Sequence, residues 1–164
     1  MTPAQKPGRS KQDYGTPPEL LRAIERAFHI VHWAWDLAAD ATNSITQDHR
    51  FFGPGSTHGE DSFAEVWHTL GGDLWLNNPF ADIDPWVAKC QAIRHLLKPA
   101  GRIFQLVPAA VGANWFQHRV DGKAHVVFLS PRVTFLNQTA PYPKDLILAV
   151  WGEIRGGYST WRWK

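Results

Sequence analysis

The first clear pattern of apolar and polar positions lies between residues 16 and 28, where apolar side chains recur three and four positions apart. This spacing predicts an amphipathic helix with one buried face. Thr16 is the predicted N-cap, because Pro17 suits the first helical position and Glu19 stands three residues after Thr16, as a capping box requires. The predicted buried face consists of Leu20, Leu21, Ile24, Ala27 and Phe28.

Short apolar runs predict the strands. Residues 30–37 form such a run with an acid, Asp36, next to its end, and residues 74–76 form a second one that leads into the polar segment 77–80. A helix is predicted to start at Asp84 and Pro85, with the acid as its cap and the proline at the first position. The remaining predicted elements are a strand at 102–107, a short helix at 114–119, and strands at 125–129, 133–136 and 146–151.

The order of these elements predicts the fold class. Strands separated by helical segments indicate parallel β-α-β units, and the strand-rich tail is predicted to add an antiparallel C-terminal edge to the same α/β sheet. Ligands of open α/β sheets bind beyond the carboxyl ends of the strands. Two predicted strands end there in polar, turn-forming sequence, at 36–40 and 77–80, and residues 40–62 form a long irregular connection of a kind that is often functional.

Length and charge narrow the picture. A chain of 164 residues fits one domain, and we expect a basic flexible arm at 1–12 and a single domain at 13–164. Residues 12–154 carry a net charge of −4, so the whole-chain charge of +2 comes from two basic ends. This excludes a uniformly basic coating for nucleic acid but leaves the ends as candidate DNA contacts. The cations of the basic ends are Lys6, Arg9, Lys11, Arg155, Arg162 and Lys164.

Other classes of protein are excluded by composition. Cys90 is the only cysteine, so neither an intramolecular disulfide nor a cysteine-based zinc cluster can form, and we expect it to be a buried apolar residue. The eight histidines show no metal-ligand spacing, and we expect no metal. No apolar run approaches the roughly 20 residues of a membrane span, and the N-terminus does not look like a signal peptide. We therefore expect a soluble, cytoplasmic protein without a membrane partner.

The segment Asn77-Asn78-Pro79-Phe80 resembles the (Asp/Asn)-Pro-Pro-(Tyr/Phe) motif of methyltransferases that use S-adenosylmethionine to modify an exocyclic amine. The amino nitrogen of adenine is a poor nucleophile because its lone pair is delocalised into the ring. A side-chain oxygen and a main-chain carbonyl that accept its two N–H bonds favour the pyramidal geometry of attack, and such groups are each worth about 10²–10³ in rate. The resemblance implies that Asn77 supplies the side-chain oxygen and residue 78 the carbonyl, and that Phe80 stacks on a base flipped out of the duplex.

The chain as a whole, from about residue 13 to 151, resembles the small phage-type DNA N6-adenine methyltransferases. This resemblance implies a Rossmann-like methyltransferase fold, S-adenosylmethionine as cofactor, double-stranded DNA as partner and the bacterial cytoplasm as location. The segments that carry it are Asp13-Tyr14-Gly15-Thr16-Pro17, Asp36-Leu37-Ala38-Ala39 with Asn43, Asp61-Ser62-Phe63, Trp86-Val87, Val107-Pro108-Ala109, Trp115-Phe116, and Phe128-Leu129 through Arg132 to Phe135.

The same resemblance implies the cofactor site. Thr16 and Pro17 match an N-terminal motif that contacts the methionine part of the cofactor. Asp36 and Ala38 match a first-strand motif in which an acid pairs with the methionine ammonium, and Asp61 is a candidate for the adenosine. Trp115, with its neighbour Phe116, is a candidate for lining the base or cofactor pocket.

The sequence departs from this family pattern at two places. Asn78 stands where the family has its first proline, so the carbonyl is kept but the fixed φ is lost, although Pro79 still favours an extended Asn78. No Gly-rich turn follows Asp36. Asn78 could be read as the catalytic amide, but only one residue would then precede Phe80, and we favour Asn77. Alternative functions are methylation of an RNA base, of cytosine N4 or of a protein glutamine, or binding of DNA or cofactor without turnover.

Overall fold

The computed structural model describes residues 14–40, 45–46 and 48–164. Within this part, two α-helices and six strands form an α/β fold, which confirms the predicted class. The predicted arm at 1–12 and Asn43 lie outside the described residues. The helices are α1 (Pro18–Phe28) and α2 (Asp84–Ile93), and the strands are β1 (Trp33–Asp36), β2 (Asp73–Leu76), β3 (Arg102–Pro108), β4 (His125–Ser130), β5 (Leu146–Gly152) and β6 (Gly157–Arg162).

The six strands form one mixed sheet in the order β1-β2-β3-β5-β4-β6. β5 is antiparallel to β3 and to β4, whereas the β1–β2, β2–β3 and β4–β6 pairs are parallel. The prediction of an antiparallel C-terminal edge is therefore wrong, because the antiparallel strand lies inside the sheet and the edge strand β6 is parallel to its neighbour. The reason is that β5 is buried at every residue, so both of its faces and both of its edges must be covered.

The helices lie on opposite faces of the sheet, as the alternation of side chains along β2 demonstrates. Leu74 and Leu76 pack in a core cluster with Val87 of α2, while Trp75 packs in a second cluster with Leu20 of α1. Successive side chains of a strand point to opposite faces, which explains this division. The sheet is thus covered on both sides, and the loops at its carboxyl edge are the places left for a site.

Several predicted details of individual helices and strands differ from the structure. Pro17 itself is the N-cap of α1, with no side-chain cap, so Thr16 does not cap the helix. The short helix predicted at 114–119 corresponds to a π-helix over residues 116–120. Residues 133–136 form no strand, because their backbone bonds go elsewhere: the Val133 carbonyl accepts from Tyr142, and the Leu136 amide donates to Gly15. The strand β6 is not predicted at all.

Cys90 is fully buried on α2, as predicted, and burial raises the pKa of its thiol far above the ordinary value. In the described part of the chain, neither helix is long and apolar enough to cross a membrane.

Candidate functional site

The predicted site residues lie at the carboxyl ends of β1 and β2, which are parallel neighbours. Asp36 is the last residue of β1 and pairs with Trp75 of β2, so that Asn77 follows two residues after its partner. Parallel strands end at the same edge of a sheet, which brings the two polar side chains to one side of the molecule.

Asn77 is half-buried, and its amide nitrogen is fixed by residues from the start of the described chain. Nδ2 donates to the Tyr14 carbonyl over 2.7 Å and to the Thr16 hydroxyl over 3.2 Å. Both hydrogens of the amide are therefore used, and among the described residues no donor reaches Oδ1. The side chain is held by its nitrogen and leaves its oxygen as a free acceptor.

Asn78 has a different environment, because it is buried in the interior of the protein. Its side chain is only 2% exposed, Nδ2 donates to the Pro79 carbonyl over 3.0 Å, and Oδ1 accepts from Gln105 of β3 over 2.8 Å. Gln105 in turn accepts from the Trp151 indole of β5 over 3.0 Å. This chain of three side chains ties the segment after β2 to the two central strands, and the Asn78 oxygen already has a donor.

Phe80 closes the segment and belongs to a group of four rings that we call the aromatic cluster: Tyr14, Phe80, Phe135 and Tyr142. The Phe80 ring centroid lies 5.5 Å from that of Tyr142, 6.2 Å from that of Phe135 and 6.4 Å from that of Tyr14. Phe80 is itself half-buried, so part of its surface is accessible. Partial burial also raises the pKa of the Tyr142 hydroxyl, so this group stays neutral at physiological pH.

Asp36 is a buried acid at the end of β1, with only 1% of its surface exposed. Burial raises its pKa to about 7, and the nearby Asp40 acts in the same direction, whereas a hydrogen bond from the Ala38 amide, 3.2 Å long, lowers it. An isolated buried carboxylate is costly to ionise. A cationic ligand at this position would relieve that cost, so the residue suits an ammonium group.

The other residues predicted to hold a cofactor do not all lie close to Asp36 or Asn77. Thr16 and Pro17 are buried next to Asn77, and Ala38 is half-buried next to Asp36. Asp61 is exposed and caps a short 3-10 helix by accepting from the Phe63 amide over 2.9 Å. The structure therefore brings the first three together with Asp36 or Asn77 and gives Asp61 a local role in its own loop.

The structure describes only some of the predicted DNA contacts. The cations of the N-terminal basic end lie outside the described residues, and those of the C-terminal basic end are exposed. Of these, Lys164 forms an ion pair with Glu19 of α1 over 3.0 Å. Trp115 is half-buried and packs against the buried Phe116, with ring centroids 5.9 Å apart.

Sequence reasoning missed three residues of the site: Tyr14, Gln105 and Tyr142. Gln105 carried a signal, because it is the only polar residue inside the apolar run of β3, and a buried amide needs hydrogen-bond partners. Tyr14 stands next to the predicted cofactor motif but suggested no partner. Tyr142 gave no signal, since it lies in a polar connection between β4 and β5.

The possible metal ligands and the similarity to known proteins complete the description of the site. Within the residues that the structure describes, no group of three or more His, Cys, Asp or Glu side chains could hold a metal ion. A family model described as DNA N-6-adenine-methyltransferase (Dam) matches residues 4–146, which include both strand ends and the whole segment 77–80. No curated protein and no solved structure matches the chain.

Proposed function

Since the chain belongs to the DNA N-6-adenine-methyltransferase (Dam) family and is therefore an enzyme that methylates the N6 amine of adenine in DNA, we propose that Asn77 is its catalytic amide and S-adenosylmethionine its methyl donor. The observation that carries this proposal is the hydrogen bonding of Asn77. Its nitrogen is bound by Tyr14 and Thr16, and its oxygen is left to accept a hydrogen bond from a ligand.

A preorganised acceptor of this kind suits the chemistry of adenine. The Asn77 oxygen accepts one N–H of the exocyclic amine, and the carbonyl of Asn78 accepts the other, which shifts electron density to the nitrogen as it attacks. The buried bonds of Asn78 to Pro79 and Gln105 hold this carbonyl in place of the missing proline. These groups are oriented when the protein folds, so they do not have to reorganise during the reaction.

The aromatic cluster supports a role for Phe80 in binding the base. Adenine inside a duplex cannot reach a catalytic group, so the nucleotide must be flipped out at a cost of a few kcal/mol. Phe80 offers the base an apolar face beside Asn77, and contacts with Tyr14 and Tyr142 keep its ring in position. Stacking on this face offsets part of the cost of flipping.

The residues at the ends of β1 and α1 suit S-adenosylmethionine. The buried Asp36 carboxylate would pair with the methionine ammonium, with Ala38 beside it, and the backbone of Thr16 and Pro17 would contact the methionine part. Asp61 remains the candidate for the adenosine. When bound, the cofactor supplies a methyl group activated by a sulfonium centre.

We extend the proposal to the fold and the DNA contacts. Residues 13–164 form a Rossmann-like domain whose core is the parallel strands β1, β2 and β3. The polar ends of β1 and β2 support this proposal, because ligands of such sheets bind at the carboxyl ends of the strands. The basic ends and Trp115 contribute contacts to the double-stranded DNA around the flipped base.

The test is a methylation assay with wild-type protein and Asn77→Ala. Purified protein is incubated with double-stranded DNA and labelled S-adenosylmethionine, and the digested DNA is searched for N6-methyladenine. We expect product with the wild type and a loss of about 100-fold or more with Asn77→Ala, the range for removal of a preorganised transition-state partner. Product formation at an unchanged rate by Asn77→Ala would refute the assignment of the catalytic residue.

A further inference from the structure

We propose that Thr16 is a positioning residue for methyl transfer, and that the Tyr14 carbonyl restricts position 77 to an amide. The inference rests on the proposed role of Asn77 and adds to it. The Thr16 hydroxyl orients Asn77 and does not touch the cofactor.

The first step of the argument is the direction of the Asn77 amide. Its two N–H bonds meet two oxygen acceptors, the Tyr14 carbonyl at 2.7 Å and the Thr16 hydroxyl at 3.2 Å. If the amide were rotated by half a turn, Oδ1 would face the Tyr14 carbonyl oxygen, which has no proton to share. The Tyr14 carbonyl therefore selects one of the two amide orientations, the one that leaves Oδ1 free, and the Thr16 hydroxyl accepts the second N–H of that orientation.

The second step is the rigidity of the segment that carries these acceptors. Thr16 is only 2% exposed, and it directly precedes the Pro17 cap of α1. On the other side, the Gly15 carbonyl accepts from the Leu136 amide over 2.9 Å, and a Cβ at Gly15 would lie 3.0 Å from the Leu136 side chain. The segment is thus held by the helix and by a separate loop, so it can fix Asn77 without rearranging.

The third step concerns the choice of residue at position 77. Methyltransferases with the related motif accept Asp or Asn at its first position. Here a carboxylate would set one of its oxygens against the Tyr14 carbonyl, and neither group can donate. Two acceptors in a half-buried site repel each other, so Asp would either turn away or be destabilised. The surroundings of position 77 in this chain therefore require the donor that only the amide provides.

The experiment compares Thr16→Val, which removes the hydroxyl but keeps the shape, with Thr16→Ser, which keeps the hydroxyl. We expect Thr16→Val to lower kcat at saturating substrates about five- to tenfold, the effect of one hydrogen bond, and Thr16→Ser to recover most of it. Calorimetry with S-adenosylmethionine is expected to give the wild-type Kd for both variants. Thr160→Val, on the exposed edge strand β6, is the matched control for the substitution itself.

The outcomes separate this inference from the proposed function. A Thr16→Val enzyme with a raised cofactor Kd and wild-type kcat would show that the hydroxyl holds the cofactor, and would overturn the positioning role. If Asn77→Ala abolishes activity but Thr16→Val does not change kcat, only the positioning role fails. If Asn77→Ala is fully active, the catalytic role of Asn77 is refuted, and the positioning role of Thr16 is refuted with it.

Asn77→Asp is an independent test that leaves Thr16 intact. We expect it to lose about as much activity as Asn77→Ala while retaining its fold by circular dichroism. In the Asn77→Ala background, Thr16→Val should cause no further loss, because the residue through which it acts is gone. Activity of Asn77→Asp close to the wild-type level would overturn the restriction to an amide.

Discussion

Replacing Gln105 by Met is a direct test of the buried hydrogen-bond chain behind the catalytic segment. Gln105 lies on β3 with none of its surface exposed, and it joins Asn78 at 2.8 Å to Trp151 at 3.0 Å. Methionine has a similar length and fills the same space, but it neither donates nor accepts a strong hydrogen bond. The substitution therefore removes the two hydrogen bonds and leaves the packing nearly unchanged.

The expected magnitude follows from the two groups that lose their partners. The Asn78 oxygen and the Trp151 indole N–H are both buried, and each unsatisfied group costs about 1–3 kcal/mol. Gln105→Met should accordingly lower the free energy of unfolding by about 2–6 kcal/mol. This is a large fraction of the roughly 5–15 kcal/mol that stabilises an ordinary domain.

The assay is urea denaturation of the wild type, Gln105→Met and the matched control Ile103→Met. Ile103 lies two residues away on the same strand and the same face, and it is also fully buried, so the control introduces the same side chain without breaking a polar contact. A volume-conserving apolar exchange of this kind costs less than about 1.5 kcal/mol. If the two variants lose the same stability within about 0.5 kcal/mol, the hydrogen-bond chain does not stabilise the segment and the reasoning is refuted.

Four further predictions concern charge and stacking. The folded-state pKa of Asp36, about 7, lies above its unfolded value. The free energy of unfolding of the wild type, relative to that of Asp36→Asn, should therefore fall as the pH rises from about 4 to about 7. A difference between the two proteins that stays constant across this pH range would contradict the prediction. Because an ammonium favours the ionised acid, cofactor binding to the wild type should release protons near pH 6, seen as a dependence of calorimetric heat on the buffer, and Asp36→Asn should not show this. Phe80→Leu should raise the KM for DNA and lower kcat by a combined factor of about ten, since stacking on a base is worth about 1–3 kcal/mol, while leaving the cofactor Kd unchanged. Neutralising either of the basic ends should flatten the dependence of DNA affinity on salt by about 0.9 per lost phosphate contact; an unchanged slope after neutralising both would assign their charge to solvation alone.

Local patterns were sufficient to predict most of the elements of this fold. The run at 102–107 became β3, and the 3.6-residue period after Pro17 became α1, because burial of an apolar face is decided within a few neighbouring residues. The position of β5 could not be predicted from such patterns. Its apolar residues require burial on both faces, but nothing in them states which strands will be its neighbours.

The sequence predicts candidate site residues but not the contacts that these residues make. The spacing to Phe80 favours Asn77 over Asn78 as the catalytic amide, and this stays a prediction. The structure adds that the Asn78 oxygen accepts a hydrogen bond from Gln105. The sequence predicts helix capping and cofactor binding for Thr16, whereas its hydroxyl accepts a hydrogen bond from Asn77, which lies 61 residues later in the chain. A local motif cannot reveal a partner at that distance in sequence, and the more local explanation was the natural one to draw.

The internal position of β5 has a consequence for the order in which the protein can be assembled during synthesis. β3 carries Gln105 and is synthesised before β4 and β5. One of its two neighbours in the sheet is β2, but the other is β5, which is synthesised after β4. Until residues 146–152 emerge, the half of the sheet with β1 and β2 has no connection to β4, and the apolar edge of β3 is uncovered. The strand that joins the two halves is synthesised after β1, β2, β3 and β4, so a nascent chain released before it would expose an aggregation-prone edge.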